Sequence, residues 1–97
     1  MNERFKTDFT PADELFFESI KEATVLDSKV RQAAVVNPLD SFSFVLDKKM
    51  NDVIVDRLDK NEAIATRFLN DPAFKKIVMD VFTKEIWERI RKEEGVA

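Results

Sequence analysis

The chain has 97 residues, of which 44% are hydrophobic and 36% are charged, and its formal net charge is −3. This balance disfavours a disordered polymer or a membrane-embedded protein and is typical of one small domain with a single core. One glycine and three prolines provide few turns, which favours helices with short connections over a many-stranded β fold.

Targeting and redox features are missing from the sequence. No run of about 18 apolar residues could span a bilayer, and the N-terminal MNERFKTDFT lacks the apolar core of a signal peptide. The absence of cysteine excludes disulfides and thiolate metal sites. We therefore expect a cytoplasmic protein that has no membrane partner.

The first predicted helix follows a polar lead-in over residues 1–9. Thr10 offers an N-cap hydroxyl and Pro11 a preset φ angle, so the helix should begin here and run to about Leu26. Phe17 lies apart from the middle of its apolar stripe. The residues predicted to form that stripe are Leu15, Phe16, Ile20, Ala23 and Leu26.

Two further helices are predicted before residue 60. Asp27 or Ser28 can cap a short second helix, which Pro38 ends because a residue before proline avoids the α region. Asp40 or Ser41 can cap a third helix that runs to about Asp59. Its core positions at the helical period are Phe42, Leu46, Met50, Val53 and Ile54, whereas Phe44 and Val55 lie on the opposite side.

The last two predicted helices begin at polar caps. Asn61 can cap a fourth helix, with Ile64, Phe68 and Leu69 as its buried positions. Asp71 and Pro72 together open a fifth helix, which should end near Gly95, where a C′ glycine is expected. The sequence thus predicts an all-α fold: one helical domain over residues 10–97, a bundle of about five helices with short, proline-punctuated connections.

The fifth helix carries apolar residues on two arcs. The first arc contains Phe74, Ile77, Val78, Val81 and Phe82, and the second contains Met79, Ile86, Trp87 and Ile90. The ordinary interpretation is that a central helix contacts two neighbours. The alternative is that the second arc docks a partner, with Trp87 at its centre, because exposed apolar patches and tryptophans mark interfaces.

Catalytic chemistry is not indicated by this sequence. It contains no histidine, cysteine or tyrosine, so the commonest general base and the thiol nucleophile are missing. A single glycine excludes the glycine-rich loops that bind ATP or dinucleotides. The carboxylates are interpreted as helix caps and surface ion pairs. We therefore predict no catalytic residue, no cofactor site and no metal site in this chain.

Three stretches of the chain are similar to elements of a known protein family. The first is TPADELFFESIKE, from Thr10 to Glu22. The second is DRLDKNE, residues 56–62, similar to the family's D-R-x-D-x-N element. The third is RFLNDPAF, residues 67–74, similar to R-F-x-N-D-x-x-F, and an Asn-centred break at Asn37 and the segment Phe42–Phe44 lie between the first two. In their order and spacing, these elements resemble the C-terminal helical domain of type I restriction enzyme R subunits, and the resemblance extends over about residues 10–92.

The resemblance implies an assembly role. The parent R subunit is an ATP- and Mg-dependent site-specific deoxyribonuclease that translocates DNA, and its motor and nuclease motifs lie in parts that this chain lacks. The terminal helical region is expected to dock the motor subunit onto the methyltransferase and specificity subunits. This chain would then be non-catalytic by itself and would contact DNA through the parent complex.

The sequence also allows two functions other than this assembly role. One is a DNA-contacting helical module that uses basic residues of the fifth helix, namely Lys75, Lys76, Lys84, Arg89, Arg91 and Lys92. The acidic net charge and the interleaved acids count against it, because phosphate contact needs a basic surface. The other is a stand-alone helical protein that self-associates through Ile86, Trp87 and Ile90.

Overall fold

Five α-helices and a short 3-10 turn make up the described part of the chain. The computed structural model describes residues 9–96, so the predicted lead-in, apart from Phe9, lies outside the described residues. The helices are α1 Pro11–Leu26, α2 Ser28–Val36, α3 Leu39–Asp56, α4 Glu62–Asn70 and α5 Pro72–Glu93, with the 3-10 turn at Leu58–Lys60. The predicted all-α bundle of about five helices is therefore confirmed. No described helix is long and apolar enough to cross a membrane.

Polar side chains cap most of these helices where the sequence predicts them. Thr10 Oγ1 accepts the Asp13 N–H at 3.2 Å, while Asp13 Oδ2 accepts the Thr10 N–H at 3.2 Å, which closes a capping box. Asp27, rather than Ser28, caps α2, and Asn61 and Asp71 cap α4 and α5. Each cap satisfies N–H groups that a helix start otherwise leaves unpaired.

The start of α3 differs from the prediction. Neither Asp40 nor Ser41 caps it, because the helix already begins at Leu39 and Pro38 occupies the N-cap position without a side-chain hydrogen bond. The Phe42 N–H donates to the Pro38 carbonyl at 2.9 Å. The restricted φ of Pro38, −67°, suits a residue that immediately precedes a helix.

The sequence predicts the end of α5 correctly but places the end of α3 too late. The α-helical part of α3 ends at Asp56, not Asp59, because Arg57 leaves helical geometry at φ −111° and ψ 21°. The 3-10 turn then continues the chain toward α4. At the end of α5, Gly95 has φ 74°, the left-handed conformation that favours glycine after a helix. The role predicted for Gly95 is confirmed.

The longest helix, α5, packs against all four others. Its buried side chains belong to one continuous core with the inner faces of α1 to α4. Phe17 of α1 lies in an aromatic cluster, with ring centroids 5.2 Å from Phe9 and 5.6 Å from Phe82. Side chains with no exposed surface include Ile20, Val30, Phe42, Leu46, Met50, Ile54, Phe68, Val78, Ile86 and Ile90.

Several predicted core positions are wrong. Phe17, predicted to lie apart from the stripe of α1, is only 2% exposed, and Thr24 is fully buried. The buried face of α1 is rotated from the predicted one because the aromatic cluster takes in Phe17 and its neighbour Phe16. The aliphatic residues that are exposed although predicted to be buried are Leu15, Leu26, Leu69 and Ile77.

Two arginines join the C-terminal end of α5 to α1 and α2. Arg31 Nη2 lies 3.0 Å from Glu93 Oε1 and 2.8 Å from Glu94 Oε2. Arg89 Nη1 lies 2.9 Å from Glu22 Oε1, and its Nε lies 3.2 Å from Glu93 Oε2. Because Glu93 contacts both arginines, the three helices share one charged cluster at the surface.

Truncation of Ile86 tests the burial of α5. Ile86→Ala should lower the free energy of unfolding by about 2–5 kcal/mol, because the side chain is fully enclosed and its loss leaves a cavity. The matched control is Ile77→Ala on the same helix, where the side chain is 52% exposed, and it should cost less than about 1 kcal/mol. Urea denaturation of the two variants checks this. Equal losses would contradict the assigned core.

Acidification tests the charged cluster. Hydrogen bonds from Arg89 lower the pKa of Glu22 below its usual 4.5, and Arg31 and then Arg89 lower the pKa of Glu93. Because these folded-state pKa values are depressed, their stabilisation is complete above the unfolded value and disappears as the pH falls through the folded values. Arg89→Gln should therefore flatten the pH dependence of unfolding below about pH 4.5.

Urea denaturation at several pH values provides the measurement. Lys48→Gln removes one exposed charge from α3 and serves as the control, which should keep the wild-type pH dependence. An unchanged slope in the Arg89 variant would contradict the role of these ion pairs.

Candidate functional site

An open groove lies between α1 and the 3-10 turn. Its volume is about 570 Å³. We call it the α1 groove, and its lining residues are Ala12, Leu15, Phe16, Ser19, Arg57 and Lys60. The first four come from α1 and the last two from the end of α3 and the turn.

Hydrogen bonds connect the two walls of the α1 groove, which are α1 and the segment that follows α3. Arg57 Nη1 donates to the Ser19 carbonyl oxygen at 3.0 Å. Asn61 Nδ2 donates to Asp13 Oδ1 at 2.8 Å, while Asn61 Oδ1 accepts the N–H of Ile64 as the cap of α4. The turn is thus held against α1 by residues that also cap helices, which gives the groove a defined shape.

The chemistry of the α1 groove is apolar with a cationic edge. Leu15 is 72% exposed, a high value for a large aliphatic side chain, and Phe16 lies buried beside it. Arg57 and Lys60 supply two positive charges, and no carboxylate is among the lining residues. Such a surface can take an apolar side chain of a partner that has a carboxylate close to it.

The docking face predicted on α5 is wrong as an exposed surface. Ile86 and Ile90 have no exposed surface, and Met79 is 8% exposed. Trp87 is half-buried, and its Nε1–H donates to the Asn37 carbonyl oxygen at 3.0 Å. The physical reason is that α5 has helices on several sides, so its second apolar arc also faces the core.

Met79 nevertheless borders a second groove, between α3 and α5. This groove has a volume of about 450 Å³ and carries both acids and lysines on its walls. Asp47 and Lys75 are paired across it at 3.2 Å. Phe44 stands at its edge and is 79% exposed, as the helical period predicts. The charges here are balanced, so the groove has no preference for a partner of one sign.

The six cations of the DNA-contact alternative do not share one face of α5. Lys75 and Lys84 are nine residues apart, so they project from opposite sides at 3.6 residues per turn. Lys76 lies 3.3 Å from Asp80, and Arg89 pairs with acids of α1 and α5.

Arg91, another of these six, points toward the end of α2. Its Nη1 donates to the carbonyl oxygens of Ala34 and Val35, each at 3.0 Å, and its guanidinium lies 4.7 Å from the Trp87 ring centroid. Lys84 and Lys92 are exposed. The described contacts therefore give no specific support to DNA binding by α5.

Sequence reasoning missed Leu15, Arg57 and Lys60 as site residues. Leu15 was assigned to the buried stripe, although Leu15, Phe16 and Phe17 are consecutive and a helix turns by about 100° per residue. One member of such a triplet is expected to point away from the core. That signal could have identified an exposed leucine, but nothing local indicates that Arg57 and Lys60 would join it.

Comparison with known proteins leaves the family unassigned. No protein-family model, no curated protein and no solved structure matches this chain. Between residues 9 and 96, no group of three or more acidic side chains is arranged to hold a metal ion.

Replacement of Trp87 tests its structural role. Trp87→Phe keeps an aromatic ring but removes the N–H that pairs with the Asn37 carbonyl. It should lower the free energy of unfolding by about 0.5–1.5 kcal/mol. Denaturation followed by circular dichroism measures the loss, with Phe44→Ala as an exposed aromatic control. Wild-type stability in the Trp87 variant would contradict a structural function for this hydrogen bond.

Proposed function

We propose that this chain is a non-catalytic assembly domain of a type I restriction endonuclease R subunit. In this proposal the α1 groove docks the motor subunit onto the methyltransferase core. One observation carries the proposal: every residue that lines the groove belongs to Thr10–Glu22 or to residues 56–62. These are two of the stretches on which the resemblance to that family depends. Stretches more than thirty positions apart thus meet at one exposed apolar surface.

The composition of the α1 groove specifies the kind of surface that would fill it. Burial of Leu15 against a partner is favourable by roughly 25 cal/mol for each Å² of apolar area removed from water. Arg57 and Lys60 would attract a carboxylate and thereby orient the partner, since charge complementarity chiefly supplies specificity. We therefore expect the methyltransferase core to present an apolar side chain beside an Asp or Glu.

The remaining activities belong to other parts of the parent complex in this proposal. ATP and Mg would bind to the motor and nuclease segments of the R subunit, and DNA would be held by the whole assembly. This chain would contribute binding energy and orientation in the cytoplasm. It contains no histidine or cysteine to perform acid–base or thiol chemistry.

Calorimetric titration of the chain into its cognate methyltransferase core tests the proposal. Leu15→Asp should weaken binding at least tenfold, about 1.4 kcal/mol or more, because it buries a charge in the apolar contact. Leu26→Asp is the matched control, since Leu26 is equally exposed on α1 but does not line the groove. It should bind like the wild type.

A charge reversal at the edge of the α1 groove extends the test. Lys60→Glu should weaken binding severalfold, more at low salt than at high salt. Lys29→Glu makes the same change at an exposed position of α2 and should have no effect. The proposal is wrong if the folded wild type does not bind the core, or if both leucine variants bind equally well.

A further inference from the structure

The outer side of α3 carries two exposed apolar residues that are not among those lining the α1 groove. Phe44 is 79% exposed and Val55 is 58% exposed. They are eleven residues apart, which is three turns plus about 20°, so they project from the same side. The fully buried Leu46 and Met50 point the opposite way, into the bundle. Phe44 and Val55 are therefore two exposed apolar residues at the two ends of one side of the helix, with polar residues between them.

Two opposite charges lie between these apolar ends. Lys48 and Asp52 are exposed and fall within about 80° of Phe44 around the helix. The neighbouring Lys49 and Asp47 form ion pairs with Asp27 and Lys75 of the same chain. Lys48 and Asp52, by contrast, form no ion pair with another residue of the described range 9–96. We call Phe44, Lys48, Asp52 and Val55 the α3 outer strip.

The α3 outer strip is complementary to itself when it is reversed. The midpoint of Phe44 and Val55 is position 49.5, and that of Lys48 and Asp52 is position 50. At a rise of 1.5 Å per residue, the two midpoints differ by about 0.8 Å along the helix. A two-fold axis at this point would set Phe44 against Val55 of a second copy, and Lys48 against Asp52 of that copy, each twice.

We propose that the α3 outer strip binds a second copy of this chain, with the two α3 helices antiparallel. Closed two-fold pairing uses the same surface on both copies, and this strip meets that requirement in both its apolar and its charged residues. The outer ends of the contact are apolar and its centre is ionic, so the charges set the register while the apolar residues provide most of the attraction. The α3 outer strip shares no residue with the lining of the α1 groove, so this dimer does not depend on the proposed function.

The expected association is weak. One helix face per copy is a small interface, and interfaces below the standard size are transient. Sedimentation equilibrium of the full chain should therefore be measured from about 10 µM to about 1 mM, where a micromolar to near-millimolar dimer becomes populated. The average mass should rise toward twice that of the monomer, which is 11.3 kDa.

Charge reversal provides the decisive comparison. Lys48→Asp and Asp52→Lys should each weaken dimerisation roughly tenfold, because each places like charges opposite one another at two positions. The double variant Lys48→Asp/Asp52→Lys restores opposite pairs across the interface and should recover dimerisation. The double change keeps the net charge, so recovery would not be an effect of net charge. Because positions 48 and 52 are also four residues apart on one helix, circular dichroism of each variant must show the wild-type helix content.

Apolar variants and a control complete the experiment. Phe44→Ser should prevent dimerisation, whereas Leu26→Asp and Leu15→Asp, on α1, should leave it unchanged. A monomeric wild type at about 1 mM would overturn the proposal. Failure of the double variant to recover what the single variants lose would also overturn it, as would equal weakening by Leu26→Asp. Loss of methyltransferase binding in Leu15→Asp with normal dimerisation would separate the two surfaces.

Discussion

The burial of α5 on several sides is the constraint on which the rest of the structure depends. This helix has 22 residues and carries apolar side chains on two arcs, so a single neighbour cannot cover it. The other four helices all pack against it. Ile86 and Ile90 become fully enclosed as a result. The surface that remains for other molecules is formed largely by the outer sides of the helices around α5.

The same constraint explains why Trp87 and Arg91 are structural. Both lie where α5 passes the connection between α2 and α3. The carbonyl groups of Ala34, Val35 and the C-cap Asn37 lie at the end of α2, where the last carbonyls of a helix have no helical partner. Trp87 and Arg91 donate to these oxygens. Trp and Arg are common at protein interfaces, but here Trp87 and Arg91 donate hydrogen bonds to the free carbonyl groups at the end of α2.

Sequence information was sufficient for features that are local. The N-cap at Thr10, the caps at Asn61 and Asp71, and the C′ glycine at Gly95 each depend on a few neighbouring residues. The periodicity of α3 likewise identified Phe44 and Val55 as outward-facing. Local rules could not decide between Leu15 and Phe17, because the outcome depends on a ring cluster with Phe82, 65 positions away in the chain.

The α1 groove could not be predicted for the same reason. The contact that brings Arg57 to α1 joins residues 38 positions apart, and helical periodicity contains no information about such pairs. The two strings that carry the family resemblance meet only after folding.

Site-specific photo-crosslinking can show whether the α1 groove is the surface that binds a methyltransferase core. A photoreactive amino acid at position 15 would report what contacts the α1 groove in the assembled complex, and the same residue at position 26 would report an exposed position outside it. If the α1 groove docks the proposed partner, position 15 should crosslink to the methyltransferase core and position 26 should not. Crosslinks from position 26 alone, or from neither position in a complex that does form, would contradict it.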